Sequence, residues 1–103
     1  MSDKAWKVME RKIAKLFNTN RILEKGIEAP DIETNIFIGE CKYRAKIGFH
    51  RYFDQAKSYS KKAGKIPLLF TQEKGKSPLV TLELNSFIAL CRGAGVLRDE
   101  EVD

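Results

Sequence analysis

Two stretches of helical periodicity bracket a run of strand signals, and this change of period constrains the fold more than any other feature. Trp6, Met9, Ile13, Leu16 and Phe17 recur at three- and four-residue steps and make one apolar stripe over residues 3–18. Ser2 or Asp3 stands where it can cap this helix, and Asn18-Thr19-Asn20 supplies stop and turn residues. A second stripe, Phe49, Tyr52, Phe53, Ala56, Tyr59 and Ala63, runs up to Gly64, which suits a helix terminus. Between the stripes, Arg21 to Leu23 begins a strand and Lys25-Gly26 a turn. Asp31 to Thr34 and Ile36 to Tyr43 follow as two tightly joined strands. Ile66 to Thr71 and Leu79 to Leu84 read as strands joined by a polar hairpin loop over 72–78. Asn85 or Ser86 then caps a short helix from Phe87 to Cys91, which Gly93 ends. The order is α-β-β-β-α-β-β-α, an α/β sandwich with helices packed on a central mixed sheet, in one domain over residues 1–103. The strand after the middle helix is expected to run parallel to the one before it through a right-handed crossover.

Composition narrows the class. Apolar residues form 43% of the chain and charged residues 32%, a balance that excludes a disordered or membrane-spanning chain. No apolar run approaches the roughly 20 residues that cross a bilayer, and no apolar stretch follows Met1-Ser2-Asp3-Lys4 as in a secretory leader. The expected location is cytoplasmic, or for a phage-encoded chain the host cytoplasm. Cys41 and Cys91 lie far apart and His50 is the one histidine, which excludes zinc-finger spacing and histidine-pair metal motifs. The net charge of +5 and pI near 9.3 favour an acidic partner, nucleic acid above all.

The chemistry concentrates in Pro30-Asp31 and Glu40-Cys41-Lys42. Residues two apart on a strand point the same way, so Ile36, Ile38, Glu40 and Lys42 share one face and Phe37, Gly39, Cys41 and Tyr43 the other. Asp31, on the neighbouring strand, can bring a second carboxylate beside Glu40. A turn at Asn35-Ile36 would put the two directly opposite; because isoleucine suits such a turn poorly, the register is expected to be offset by a residue or two. Such charges can form a solvated salt-bridge cluster, but Ile36 and Ile38 make their face apolar at its start, where isolated charges are costly. Converging carboxylates are suited to a hard cation, Mg²⁺ or Mn²⁺, and Lys42 beside them could orient a nucleophile and offset developing charge. Glu33 shares the face of Asp31 in a regular strand and is a reserve ligand.

These residues spell the PD-(D/E)xK signature, and the chain resembles that nuclease superfamily over nearly its whole length, most closely the archaeal and phage-type Holliday junction resolvases. The resemblance implies a restriction-endonuclease-like fold and Mg²⁺-dependent hydrolysis of DNA phosphodiesters. It implies that Asp31, Glu40 and the Cys41 carbonyl hold the metal, and that Lys42 acts on the water and the developing charge. Glu10 in the first helix and Gln55 in the helix after the motif strand complete the shell by the same resemblance, although Glu10 lies off the centre of its apolar stripe, at a boundary position. One departure is Glu24 to Ala29, which holds no serine where the resolvases carry a serine- or glycine-containing loop.

Arg44, Lys46, His50, Arg51 and Lys57 continue a basic run from the motif into the second helix, with Lys61 and Lys62 beyond, and are expected phosphate contacts. Tyr43, Tyr59 and Trp6 are read as packing residues. Leu79, Leu82, Leu84, Phe87, Ile88 and Leu90 exceed what one small sheet can cover, which with the resemblance implies a homodimer acting on branched DNA. The alternatives are a nicking, flap or restriction-like nuclease of the same fold, or a DNA-binding module that does not cut.

Overall fold

The computed structural model describes residues 4–19, 29–44 and 48–97. Their order is α1 (Ala5–Leu16), β1 (Ile32–Glu33), β2 (Phe37–Arg44), α2 (Phe49–Ala63), β3 (Ile66–Glu73), β4 (Leu79–Thr81) and α3 (Leu84–Gly93). The strands form one mixed sheet in the order β1-β2-β3-β4. β2 and β3 run parallel, with Glu40 against Leu69, as a helical crossover between them requires, and β1 and β4 pair antiparallel at the two edges. The chain is thus a small α/β protein of four strands and three helices among the described residues. The strand expected at Arg21 to Leu23, the turn at Lys25-Gly26 and the loop Glu24 to Glu28 lie outside them. No helix described is long and apolar enough to cross a membrane.

The pleat of β2 divides the core. One face carries Cys41 and meets Met9, Ile13 and Ala14 of α1 with Ile32, Leu68 and Phe70. The other carries Ile38 and Glu40 and is covered by α2, whose buried residues are Phe53, Ala56 and Tyr59. α2 begins and ends where its apolar stripe does, and Gly64 closes it in the left-handed conformation (φ 67°), which costs glycine nothing. The ends of that stripe, Phe49 and Ala63, stay exposed.

Several local expectations are corrected. α1 has Lys4 at its N-cap with no side-chain cap, and Ser2 and Asp3 lie outside the described residues. Its buried stripe is Met9, Glu10, Ile13 and Ala14, while Trp6 and Leu16 stand exposed, so Glu10 sits within the stripe and not at its boundary. Ile36 precedes β2 and is 54% exposed, leaving Ile38 as the apolar neighbour of Glu40. β4 stops at Thr81, and α3 starts at Leu84 with Glu83 as N-cap, so Asn85 and Ser86 lie inside the helix. Leu82 and Leu84 fit a two-residue period, but Leu84, Phe87, Ile88 and Cys91 also fit a helical one, and the longer pattern prevails.

Gly39 shows how closely β2 and β3 are fitted. A Cβ there would lie 2.9 Å from the Phe70 ring and 3.3 Å from the Leu68 carbonyl oxygen. Phe70 is pinned in turn by Phe17, edge to face at 5.3 Å. Gly39→Ala is therefore expected to lower the stability by about 1–3 kcal/mol, the usual cost of overpacking. A urea-unfolding midpoint equal to that of the wild type would show that the ring can move aside.

Candidate active site

The site begins at the hairpin between β1 and β2. Ile32 pairs with Gly39 and Glu33 with Ile38, which puts the turn at Asn35-Ile36. Isoleucine is tolerated there because its side chain stands in solvent and Thr34 Oγ1 accepts the Phe37 N–H at 3.0 Å and the Ile36 N–H at 3.3 Å. The offset expected at the turn arises instead at Asp31. Its N–H donates to Gly39 O at 3.0 Å, although Ile32 is the register partner of Gly39. Asp31 and Ile32 thus both stand against Gly39 of β2, the pattern of a β-bulge at the start of β1, which re-aims a side chain and ends pairing. Pro30 has no N–H with which to resume the ladder. Asp31 Oδ2 then accepts the Cys41 N–H at 2.8 Å. The Cys41 carbonyl faces the same edge, because both backbone groups of a residue in an antiparallel pair point to the same neighbour.

Glu40 and Lys42 emerge side by side, as the two-residue period requires, with Lys42 Nζ 3.7 Å from Glu40 Oε2. That separation makes a loose ion pair and not a hydrogen bond. Glu40 is 3% exposed and Glu10 6%. Asp31 interacts electrostatically with Glu40 and Glu10, and Glu40 with Lys42 and Tyr59. Burial pushes Asp31 above the ordinary carboxylate range, and the neighbouring Glu40 charge adds to the rise. Burial raises Glu40 as well, against the pull of Lys42. Burial and the surrounding carboxylates drive the Cys41 thiol far up, so this residue offers backbone and not a thiolate.

These groups line a cavity of about 410 Å³ with Trp6, Tyr43, Arg44, Gln55 and Tyr59. α1 brings Glu10 to it from one side of the sheet edge. α2 brings Gln55 and Tyr59, and Gln55 Nε2 donates weakly to Tyr59 Oη at 3.4 Å; Tyr52, three residues earlier on the same helical side, has its ring against Lys42. Carboxyl oxygens drawn together against their own repulsion, with the Lys42 ammonium beside Glu40, suit a hard divalent cation. Asp31, Glu40 and the Cys41 carbonyl are the groups that could hold it. Among the described residues no three His, Cys, Asp or Glu side chains stand as a preformed cage.

Not every expected residue comes to the site. Glu33 turns away and pairs with Lys65 at 2.6 Å, because the bulge puts it and Asp31 on different courses. His50 and Lys57 lie on another face of α2 beside Asp54 and Glu83, with Lys57 Nζ 3.6 Å from Glu83 Oε2. Arg44 and Arg51 remain near the cavity, and Lys46 lies outside the described residues. Tyr59 and Trp6 were read as packing residues, and Tyr52 as part of a stripe. Tyr59 is also a partner of Glu40, Trp6 lines the cavity, and the Tyr52 ring faces Lys42. The three-four spacing of Tyr52, Gln55 and Tyr59 was the available signal. No family model, curated protein or solved structure matches the chain, so the site is read from its own geometry.

The raised carboxyls carry a stability consequence. A group with a raised folded pKa binds more protons folded than unfolded, so its contribution is intact below the unfolded pKa and is lost as pH rises through the folded value. The metal-free protein should therefore melt at lower temperature as pH rises from about 4 toward neutrality. Glu40→Gln should raise the melting temperature at neutral pH and flatten this dependence. A mutant with the wild-type slope would remove Glu40 as its source.

Proposed function

We propose that the chain is a divalent-metal-dependent DNA endonuclease of the PD-(D/E)xK type, acting on branched DNA in the manner of a Holliday junction resolvase. The observation that carries this reading is the convergence of half-buried Asp31, just before β1, with the buried Glu40 and with Lys42 of β2 in one cavity. A non-cutting DNA-binding module would account for the basic surface but leaves these buried carboxyls without a purpose. Mg²⁺ or Mn²⁺, when bound, supplies Lewis acidity toward water and phosphate. The protein's own groups do the rest. Asp31 and Glu40 would hold the cation, with Tyr59 beside Glu40 in the same cavity. Lys42 offsets charge as a phosphodiester is attacked, and Gln55 and Glu10 face the space where water would be held.

Asp31→Asn and Glu40→Gln should each abolish Mg²⁺-dependent cleavage while DNA binding survives, since removing a carboxylate also removes repulsion of phosphate. Lys42→Ala should cut the rate by about two orders of magnitude, the usual cost of losing one charge-stabilising group. Cleavage by either carboxylate variant at the wild-type rate would sink the site assignment.

A second copy of the chain is the proposed partner. α3 buries none of its residues, and Phe87, Leu90, Cys91 and Val96 line an apolar groove of about 320 Å³ with Phe17, Phe37 and Leu68. Paired cuts across a two-fold junction require two sites related by a two-fold axis. Sedimentation should give twice the 11.8 kDa chain mass, and four-way junctions should outcompete linear duplex. A monomer, or equal competition by duplex, would leave a nicking, flap or restriction-like nuclease.

A further inference from the structure

Three cations gather around one aromatic ring at the mouth of the site. Lys42 Nζ lies 5.3 Å from the Tyr52 ring centroid, and the Arg44 and Arg51 guanidinium carbons each lie 5.9 Å from it. Lys42 and Arg44 come from one face of β2, while Arg51 and Tyr52 come from the start of α2. Like charges this close repel one another, and an aromatic face offsets only part of that cost. Lys42 has Glu40 as counter-charge. Arg44 donates to the Tyr43 carbonyl oxygen at 2.9 Å, and among the described residues neither Arg44 nor Arg51 is paired with a carboxylate. The opposite face of α2 differs, since Lys57 is matched there by Glu83.

We propose that Tyr52 gathers Arg44 and Arg51 into a receptor for the nucleic-acid phosphate next along the strand from the one being cut. This rests on the endonuclease reading and gives it a direction: the bound strand runs from the carboxylates past Lys42 toward Arg44, on the Tyr52 side of α2. The spacing fits. Two residues of a β-strand advance about 6.6 Å, comparable with the step between successive phosphates of one nucleic-acid strand. Lys42 is then placed for the scissile phosphate and Arg44 for its neighbour, with Arg51 closing on that neighbour from the helix. Guanidinium groups can grip phosphate through two parallel hydrogen bonds. Tyr52 is a positioning residue here: its ring holds the cations at one place and leaves their N–H donors for the anion.

The test is anisotropy of a fluorescent four-way junction and of linear duplex, titrated in EDTA so that nothing is cut, over a range of salt. Arg44→Ala and Arg51→Ala should each weaken binding about tenfold, the worth of one charge-assisted contact, and flatten the salt dependence by about one phosphate contact. Tyr52→Leu should weaken binding about threefold to tenfold though it changes no charge, and Tyr52→Phe, which keeps the ring, should restore it. Lys57→Ala should bind like the wild type. Wild-type affinity in Tyr52→Leu, equal loss in Tyr52→Phe and Tyr52→Leu, or a loss in Lys57→Ala matching that of Arg44→Ala would overturn the receptor while leaving DNA binding in place. Wild-type protein that binds neither DNA would overturn the nuclease reading and the receptor with it.

Discussion

The bond from the Cys41 N–H to Asp31 Oδ2, 2.8 Å long, holds together what β1 is too short to hold alone. β1 contributes two residues to the sheet, and its edge position exposes it to slippage. A carboxylate acceptor forms a stronger bond than a neutral carbonyl. Placed just past the bulge, it ends the ladder and locks Asp31 against β2. The same bond sets Asp31 beside Glu40 and leaves the Cys41 carbonyl facing the same edge. Moving that contact by one residue would turn the carboxylate to the other side of the sheet.

The site strains the core that surrounds it. Glu10 and Glu40 are as buried as the apolar residues beside them, and half-buried Asp31 lines the same cavity. Lys42 stands against Glu40. An interior built for stability alone would hold apolar side chains here, because buried carboxylates lose their hydration. Burial accordingly pushes both Asp31 and Glu40 above the ordinary carboxylate range. A divalent cation would relieve the same repulsion without a proton, which links the electrostatics of the core to the proposed chemistry. Local rules broken at one cluster, in a chain otherwise consistent, are the usual mark of a functional site.

α2 separates two electrostatic environments. Its Gln55-Tyr59 face closes the cavity, and its His50-Asp54-Lys57 face meets the segment leading into α3. A basic run that looks continuous in one dimension is therefore split by the turn of the helix. Arg51 falls on the side with unmatched positive charge and Lys57 on the side where Glu83 answers it.

The sequence by itself determined the α/β class, the limits of α2 with its glycine stop, the parallel pairing implied by a helical crossover, and the common face of Glu40 and Lys42. Each follows from a period or from a residue with restricted backbone preferences, and those are properties of neighbours along the chain. It did not determine how each face is rotated or what it meets. The tertiary structure decided that Glu10 is buried beside Asp31, because the packing of α1 buries it along with Met9, Ile13 and Ala14. It decided that Glu33 goes to Lys65, 32 residues away, and that a bulge turns Asp31 inward. It also made partners of two tyrosines that the helical stripe marked as packing residues. A period states which residues share a face; only packing in three dimensions states what that face touches, and there the energies of burial and charge are set.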